Sequence, residues 1–340
     1  MRHAFRLRSL SLAPVLRTLL VAAAGFALNA PVTVQAQTKV RYEEVVRSVL
    51  YVPMYVALNQ GYFKENGLDV AMKTSQGADK GMAALLSDSA DIVLIGPEAT
   101  IYVANSESPV KPKIFAGLTA TDGFLLLSRA PVEKFNWSML RGKKVMSFRP
   151  GSAPDVFLET AMRKNAIDPG KDLKLVNNIS PAARTGAWIA GQNDFAIFLE
   201  PEASNLESSG SGHVVASIGQ EVGQVDFTVF TSTDAYLQKN PAVAQAWVNA
   251  IAKAQKYVDR APAADLARHI AEFFPGITQP ELVRTVERYR KLHLWKTSPL
   301  VQEAAIESIQ DMLIASGQLD KAKRVKYDRV VIPTFANAAK

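Results

Sequence analysis

The chain has 340 residues, no cysteine and a formal net charge of +7. That length suffices for two globular domains with their own cores. The absence of cysteine excludes disulfides, a zinc–thiolate site, a cysteine nucleophile and a lipid-bearing cysteine. Arg2, Arg6, Arg8 and Arg17 are the charged side chains before Lys39, and leaving those four of the 39 basic residues out sets 35 against 32 acidic ones. No later run is basic enough for nucleic acid.

Residues 1–36 have the build of a secretory signal: a basic start, an apolar run over about 19–28, and Val34-Gln35-Ala36 as a small-x-small cleavage site. The run falls short of the roughly 20 residues that a membrane span needs; an uncleaved anchor is the competing reading. The expected mature chain starts at Gln37 and is a free periplasmic protein without a lipid anchor.

A strand is expected over 39–46. The stretch from Ser48 to Val70 then reads as strand end, a helix opened by Pro53 over 53–60, a Gly61-Tyr62-Phe63 exit, and a new strand at Leu68. Proline lacks a backbone N–H and has a pre-set φ, so it suits a first helical turn. Asn66-Gly67 supplies the left-handed turn. This order, polar residue, aromatic, Pro, small-apolar helix, G-Y-F, G-L-D-V, resembles the ABC-transporter substrate-binding proteins of the nitrate, sulfonate/taurine and thiamine-pyrimidine family. The resemblance implies a type II periplasmic binding fold: two α/β lobes joined by a two-segment hinge, with a helical C-terminal segment on the first lobe. It also implies a small-molecule ligand in the interlobe cleft and a cognate ABC permease as partner. A monomer without cofactor, metal or nucleic acid is expected.

Further along, a strand is expected over 68–74, a polar turn at Ser75–Asp79, a helix over 80–87, a buried strand over 90–95, a helix after Gly96-Pro97-Glu98, and a strand over 112–119. Strands alternating with short helices imply βαβ units and a mostly parallel sheet. Residues 124–127 leave this lobe, and 142–148 begin a second unit. Its helix spans 153–164, with Ser152 and Asp155 in capping-box positions. A strand over 173–177 follows, then a helix opened by Ser180-Pro181, then strands over 194–199, 214–218 and 226–231. The last is long enough to return to the first lobe. The expected division is 37–123 with 229–340 for lobe 1 and 124–228 for lobe 2. Crossings near 121–127 and 225–231 form the hinge.

One echo links the halves: residues 85–95 and 188–198 each run from a helix end through a turn and an aspartate (Asp91, Asp194) into a buried strand. Asp88 stands where Gly191 stands, and aspartate tolerates a left-handed backbone better than most residues. Beyond Thr231 the chain turns helical. Val243, Trp247, Val248, Ile251 and Val258 share a face, Thr278 and Glu281 make a capping box, and Ser298-Pro299 opens a last long helix.

Ligands in open α/β sheets bind beyond the carboxyl ends of the strands. That rule selects Ser48, Tyr51 and Tyr55; Gln76, Gly77 and Ala78; Gly96 and Glu98; Thr121 and Asp122; Arg149, Gly151 and Ser152; and Phe198 and Glu200. The family's ligand loops fall at the same places. Each residue has a plain structural alternative: core packing for the tyrosines, a solvated loop for Arg149, a cap for Ser152, a helix-dipole partner for Glu98 and Glu200. Cleft-facing glutamates suit amino groups or protonated ring nitrogens, as on a thiamine-precursor pyrimidine, whereas Arg149 suits a sulfonate, nitrate or carboxylate. A pyrimidine-synthesising enzyme on the same scaffold is a further alternative, but those relatives rely on cysteines and this chain has none. His213, His269 and His293 form no metal-ligand spacing.

Overall fold

A computed structural model describes residues 37–339 together with Met1 and His3. The expected signal segment and its cleavage site after Ala36 therefore lie outside the described residues. Gln37–Lys340 forms one compact unit. It is built on two five-stranded sheets.

The first sheet contains β1 (Thr38–Glu44), β2 (Leu68–Thr74), β3 (Ile92–Ile95) and β4 (Pro112–Thr119). The second contains β5 (Leu125–Ser128), β6 (Lys144–Met146), β7 (Lys174–Val176), β8 (Phe195–Phe198) and β9 (His213–Ser217); β10 (Thr228–Thr233) returns to the first. Their orders are β2-β1-β3-β10-β4 and β7-β6-β8-β5-β9. The pattern is the same twice. Three parallel strands are followed by an antiparallel visitor and a final strand: β10 lies antiparallel between β3 and β4, and β5 lies antiparallel between β8 and β9. Each visitor follows one chain crossing, so the hinge and both sheets share backbone. The Ile-Val-Leu-Ile and Phe-Ala-Ile-Phe runs are buried throughout, as expected of central strands covered on both faces.

The aspartate echo has a physical basis. Asp91 N–H donates to Arg41 O, and its carboxylate accepts from Arg41 N–H at 2.7 Å. Asp194 N–H donates to Lys144 O, and its carboxylate accepts from Lys144 N–H at 2.8 Å. Each aspartate thus pins the entry of a buried strand to its parallel neighbour, setting register in both lobes. The turn before each takes a left-handed residue, Asp88 at φ 57° and Gly191 at φ 80°.

Helix Pro241–Arg260 covers the first sheet. Its Trp247 meets Tyr42, Phe63 and Phe230 at ring-centroid distances of 5.3, 4.6 and 5.4 Å. Gly61-Tyr62-Phe63 therefore packs the lobe together. Helix Gln279–Lys291 opens where expected, with Glu281 accepting from Thr278 N–H at 2.8 Å.

Three local expectations are corrected. Ser298-Pro299 opens no helix: residues 294–299 run beside β4 without regular structure, with Gly117 N–H donating to Pro299 O and Ala120 N–H to Leu294 O, and the helix begins at Glu303. Ser180-Pro181 opens a 3-10 turn, and the α-helix starts at Arg184. Ser152 occupies the N-cap of helix Ala153–Lys164, but its Oγ donates back to Arg149 O while Asp155 accepts from Ser147 Oγ at 2.6 Å, so no capping box forms.

Candidate functional site

Residues that follow the carboxyl ends of strands in the two sheets meet where the sheets approach, and hydrogen bonds join them at two edges. On one edge, Glu98 Oε1 accepts from Ala153 N–H at 3.3 Å and Tyr102 hydroxyl donates to Gly151 O at 2.8 Å. On the other, Ser48 Oγ donates to Glu200 O at 2.9 Å, and Glu200 N–H donates to the Tyr289 hydroxyl at 2.8 Å. Arg288 reaches across with both arms, Nη1 to Glu200 Oε1 at 2.9 Å and Nη2 to Glu207 Oε2 at 2.6 Å.

Glu98 is enclosed at the first of these edges. It is 3% accessible, and its Oε2 has no partner. The carboxyl curls back over Gly96, where a Cβ would come within 2.0 Å of Oε2, so glycine at 96 is what leaves room for it. Burial pushes Glu98 up to about 7, against the opposing pull of its own and Ala153's backbone N–H groups. Tyr51 is buried nearby, and after desolvation the carboxyls of Glu44 and Glu98 are what raise its hydroxyl pKa. Glu98 and Tyr51 are thus electrostatic neighbours.

Asp122 sits in the first crossing. It is fully buried, with Oδ1 accepting from Phe124 N–H at 2.5 Å and Oδ2 unpartnered. Burial raises it to about 7. Thr121 is committed to the hinge itself: its hydroxyl meets Gly219 O at 3.1 Å and Gly223 O at 2.5 Å. A Cβ on Gly219 would lie 2.2 Å from the backbone oxygen of Asp122. Gly219→Ala is therefore expected to destabilise by about 1–3 kcal/mol, because the obstacle is backbone and cannot rotate away; a denaturant midpoint within error of the parent would refute this.

The other candidates are placed differently. Tyr55 stacks on Phe273 at 4.7 Å and donates to Glu44 at 2.7 Å, inside the first lobe. Gln76 is exposed at φ 61°, beside Gly77 and Ala78 at the start of a helix. Arg149 is exposed; its guanidinium donates to the carbonyl of Pro150 at 3.4 Å, within its own loop, and its charge lowers the pKa of Glu98 and of Asp155. Gly151 is buried beneath Tyr102 and Gln318, with Ser152 half-buried beside it. Phe198 packs on Trp188 in the second lobe's core at 5.9 Å. Glu200 is fully occupied, since Ser204 N–H and Oγ and Arg288 all bond its carboxylate.

Sequence reasoning did not single out Arg288, Tyr289, Tyr102 or Arg184. Arg184 is buried, caps the strand-end carbonyls of Ser147 and Ile197, and stacks on Phe148 at 3.7 Å. Burial lowers its guanidinium to about 9. Its one signal was a lone arginine in the small-residue run from Ser180 to Trp188. Among the described residues, no group of three or more acidic or histidine side chains could hold a metal ion.

Residues 50–264 match the model of the family described as NMT1/THI5 like. YtlA of Bacillus subtilis (strain 168), named as a binding protein, is 40% identical over 308 residues, covering 90% of this chain and 91% of YtlA. The chain belongs to the NMT1/THI5-like family. Among solved structures, the nitrate-binding protein NrtA from Synechocystis PCC 6803 superposes with a TM-score of 0.74 at 16% identity, over 88% of this chain and 87% of that one. The alkanesulfonate-binding protein SsuA from Xanthomonas axonopodis pv. citri, bound to MOPS, gives 0.69 at 19%, over 88% and 98%. These likenesses establish the two-lobed, type II periplasmic binding protein fold.

Proposed function

We propose that the chain is the periplasmic solute-binding component of an ABC-type importer, holding a small polar solute between its lobes and presenting the closed form to a membrane permease. Family membership, the NrtA-like and SsuA-like fold, and a cleft already bridged at both edges support this reading. Among the described residues no helix is long and apolar enough to cross a membrane. Capture and release, not catalysis, is the proposed activity, with the monomer as its unit. Lobe 1 comprises 37–123 with 229–340, and lobe 2 comprises 124–228.

The solute is a nitrogen-bearing heterocycle of the thiamine-precursor pyrimidine class. The observation that carries this is Glu98 Oε2, a buried acceptor in the cleft wall without a donor. A ligand N–H would satisfy it, and an anion would be repelled once the carboxyl ionises. Arg149, the cation that would favour a sulfonate, nitrate or carboxylate, is exposed and hydrogen-bonds within its own loop, and its charge is partly answered by Glu98, whose pKa it pulls down.

A ligand that binds only the folded state raises the melting temperature by mass action. Aminopyrimidines at 100 times their dissociation constant should contribute about 2.7 kcal/mol, a shift of several degrees. Thermal-shift curves against aminopyrimidines and against taurine, methanesulfonate and nitrate decide it. A shift for the anions alone would reverse the ligand assignment.

A further inference from the structure

Away from the cleft, a cavity of about 660 Å³ opens between helix Pro241–Arg260 and the short helix Tyr62–Glu65. It lies past the far end of helix Val52–Asn59, whose opposite end faces the cleft. Lys253, Lys256 and Arg260 line it from one helical face, at spacings of three and four. Tyr62 and Tyr257 line it too, and Asn66 adds an amide.

No acidic side chain lines this cavity. Glu65 touches it only through Lys253, pairing at 2.5 Å, while that ammonium also sits 4.2 Å from the Tyr62 ring centroid. Lys256 and Arg260 have no carboxylate partner among the described residues, and Asp259 lines a different cavity near the hinge. Three cations against one carboxylate leave the concavity with a net positive charge. The tyrosine rings offer flat faces for an organic substituent.

We propose that this cavity binds a phosphate-bearing anion, supplied either as a free phosphate ester or by the headgroup of an anionic lipid. Arg260, whose Nε donates to Lys256 O at 3.0 Å, offers its two Nη groups to phosphate oxygens, Lys256 and Lys253 provide point charges, and the volume falls within the range of small-ligand sites. The site is independent of the solute assigned to the cleft.

The test uses the full chain and the variant Lys256→Ala/Arg260→Ala. Both residues are exposed on a helix, where alanine keeps the helix formed. Glycerol 3-phosphate is titrated by calorimetry at low ionic strength, and vesicles of phosphatidylcholine with and without phosphatidylglycerol are co-sedimented. Binding of the parent should weaken with salt, and the variant should bind about tenfold or more weakly, in line with the energy lost per cation at an anionic surface. Glycerol 3-phosphate binding that the variant loses identifies a free ester. Binding confined to phosphatidylglycerol vesicles, and lost in the variant, identifies a lipid headgroup. No binding in either arm, or binding that the variant retains in full, overturns the proposal.

Discussion

Arg288→Ala is expected to open the molecule. Arg288 comes from helix Gln279–Lys291, whose neighbour, helix Ala263–Ile270, packs on helix Val52–Asn59 of the first lobe. Its partners Glu200 and Glu207 follow β8 in the second sheet. Glu200's side chain is fully buried, whereas Arg288 keeps 30% of its side-chain surface in water. Removing the arginine leaves Glu200 with Ser204 as donor and no counter-charge. Breaking such a pair costs about 3 kcal/mol, and each 1.36 kcal/mol is a factor of ten. The ratio of closed to open forms should fall by roughly two orders of magnitude. Ligand affinity should fall with it, because a binding-competent state that is less populated lowers the apparent affinity. Small-angle scattering of the ligand-free variant should give a larger radius of gyration than the parent. Arg288→Lys keeps the charge but not the two-armed reach to Glu200 and Glu207, so it should fall between. An unchanged radius together with unchanged affinity would remove Arg288 from closure altogether.

That latch also marks where the sequence stops being informative. The fold was readable because its cues are local. The bounds of helix Ala153–Lys164 follow from the pattern over its own residues, and the Asp91 and Asp194 units announce paired strands through a short repeated motif. The swap of β5 and β10 between sheets follows from apolar runs beside Gly123 and Val225. The pairing of Glu200 with Arg288 spans 88 positions, and no local periodicity encodes it. Its strand-end position singles out Glu200, yet the charge that answers it sits in an Arg-Tyr-Arg-Lys run that reads as a solvated helix face. Tyr55 was drawn inward for the same reason: Phe273, which stacks on it, lies 218 positions further along the chain. Strand-end logic selects loops that follow strands of both sheets. Which strand-end side chains were already committed to one another could be seen only once the long-range contacts were in place.

Glu98→Gln should separate the two ligand classes and remove part of the pH dependence of stability. Burial raises Glu98 from 4.5 to about 7 in the folded protein. A folded pKa above the unfolded one means that the folded state holds the extra proton between those values, so stability is lost as pH rises from about 4.5 through 7. Asp122 and Asp155 are raised to about 7 and about 6 by burial, and act with the same sign. The ligand-free protein should therefore melt higher at pH 5 than at pH 8. For Glu98 alone the effect is at most about 3 kcal/mol, at 1.36 kcal/mol per pH unit of displacement. Glutamine cannot ionise, so the variant should gain stability relative to the parent at pH 8 and show a shallower slope, with Asp122, Asp155, Glu44, Glu200 and Glu202, all raised by desolvation, supplying what remains. A ligand that donates N–H to Glu98 loses a charged acceptor in the variant. A hydrogen bond to a charged group contributes about 1.5–3 kcal/mol, so aminopyrimidine affinity should drop by about ten- to a hundredfold. An anionic ligand would respond in the opposite direction, because the substitution removes a repelling charge from the cleft wall. Calorimetric titration of parent and variant with both ligand classes at pH 8 reads that sign directly. Tighter aminopyrimidine binding in Glu98→Gln would place the heterocycle elsewhere in the cleft and return the site to an anion.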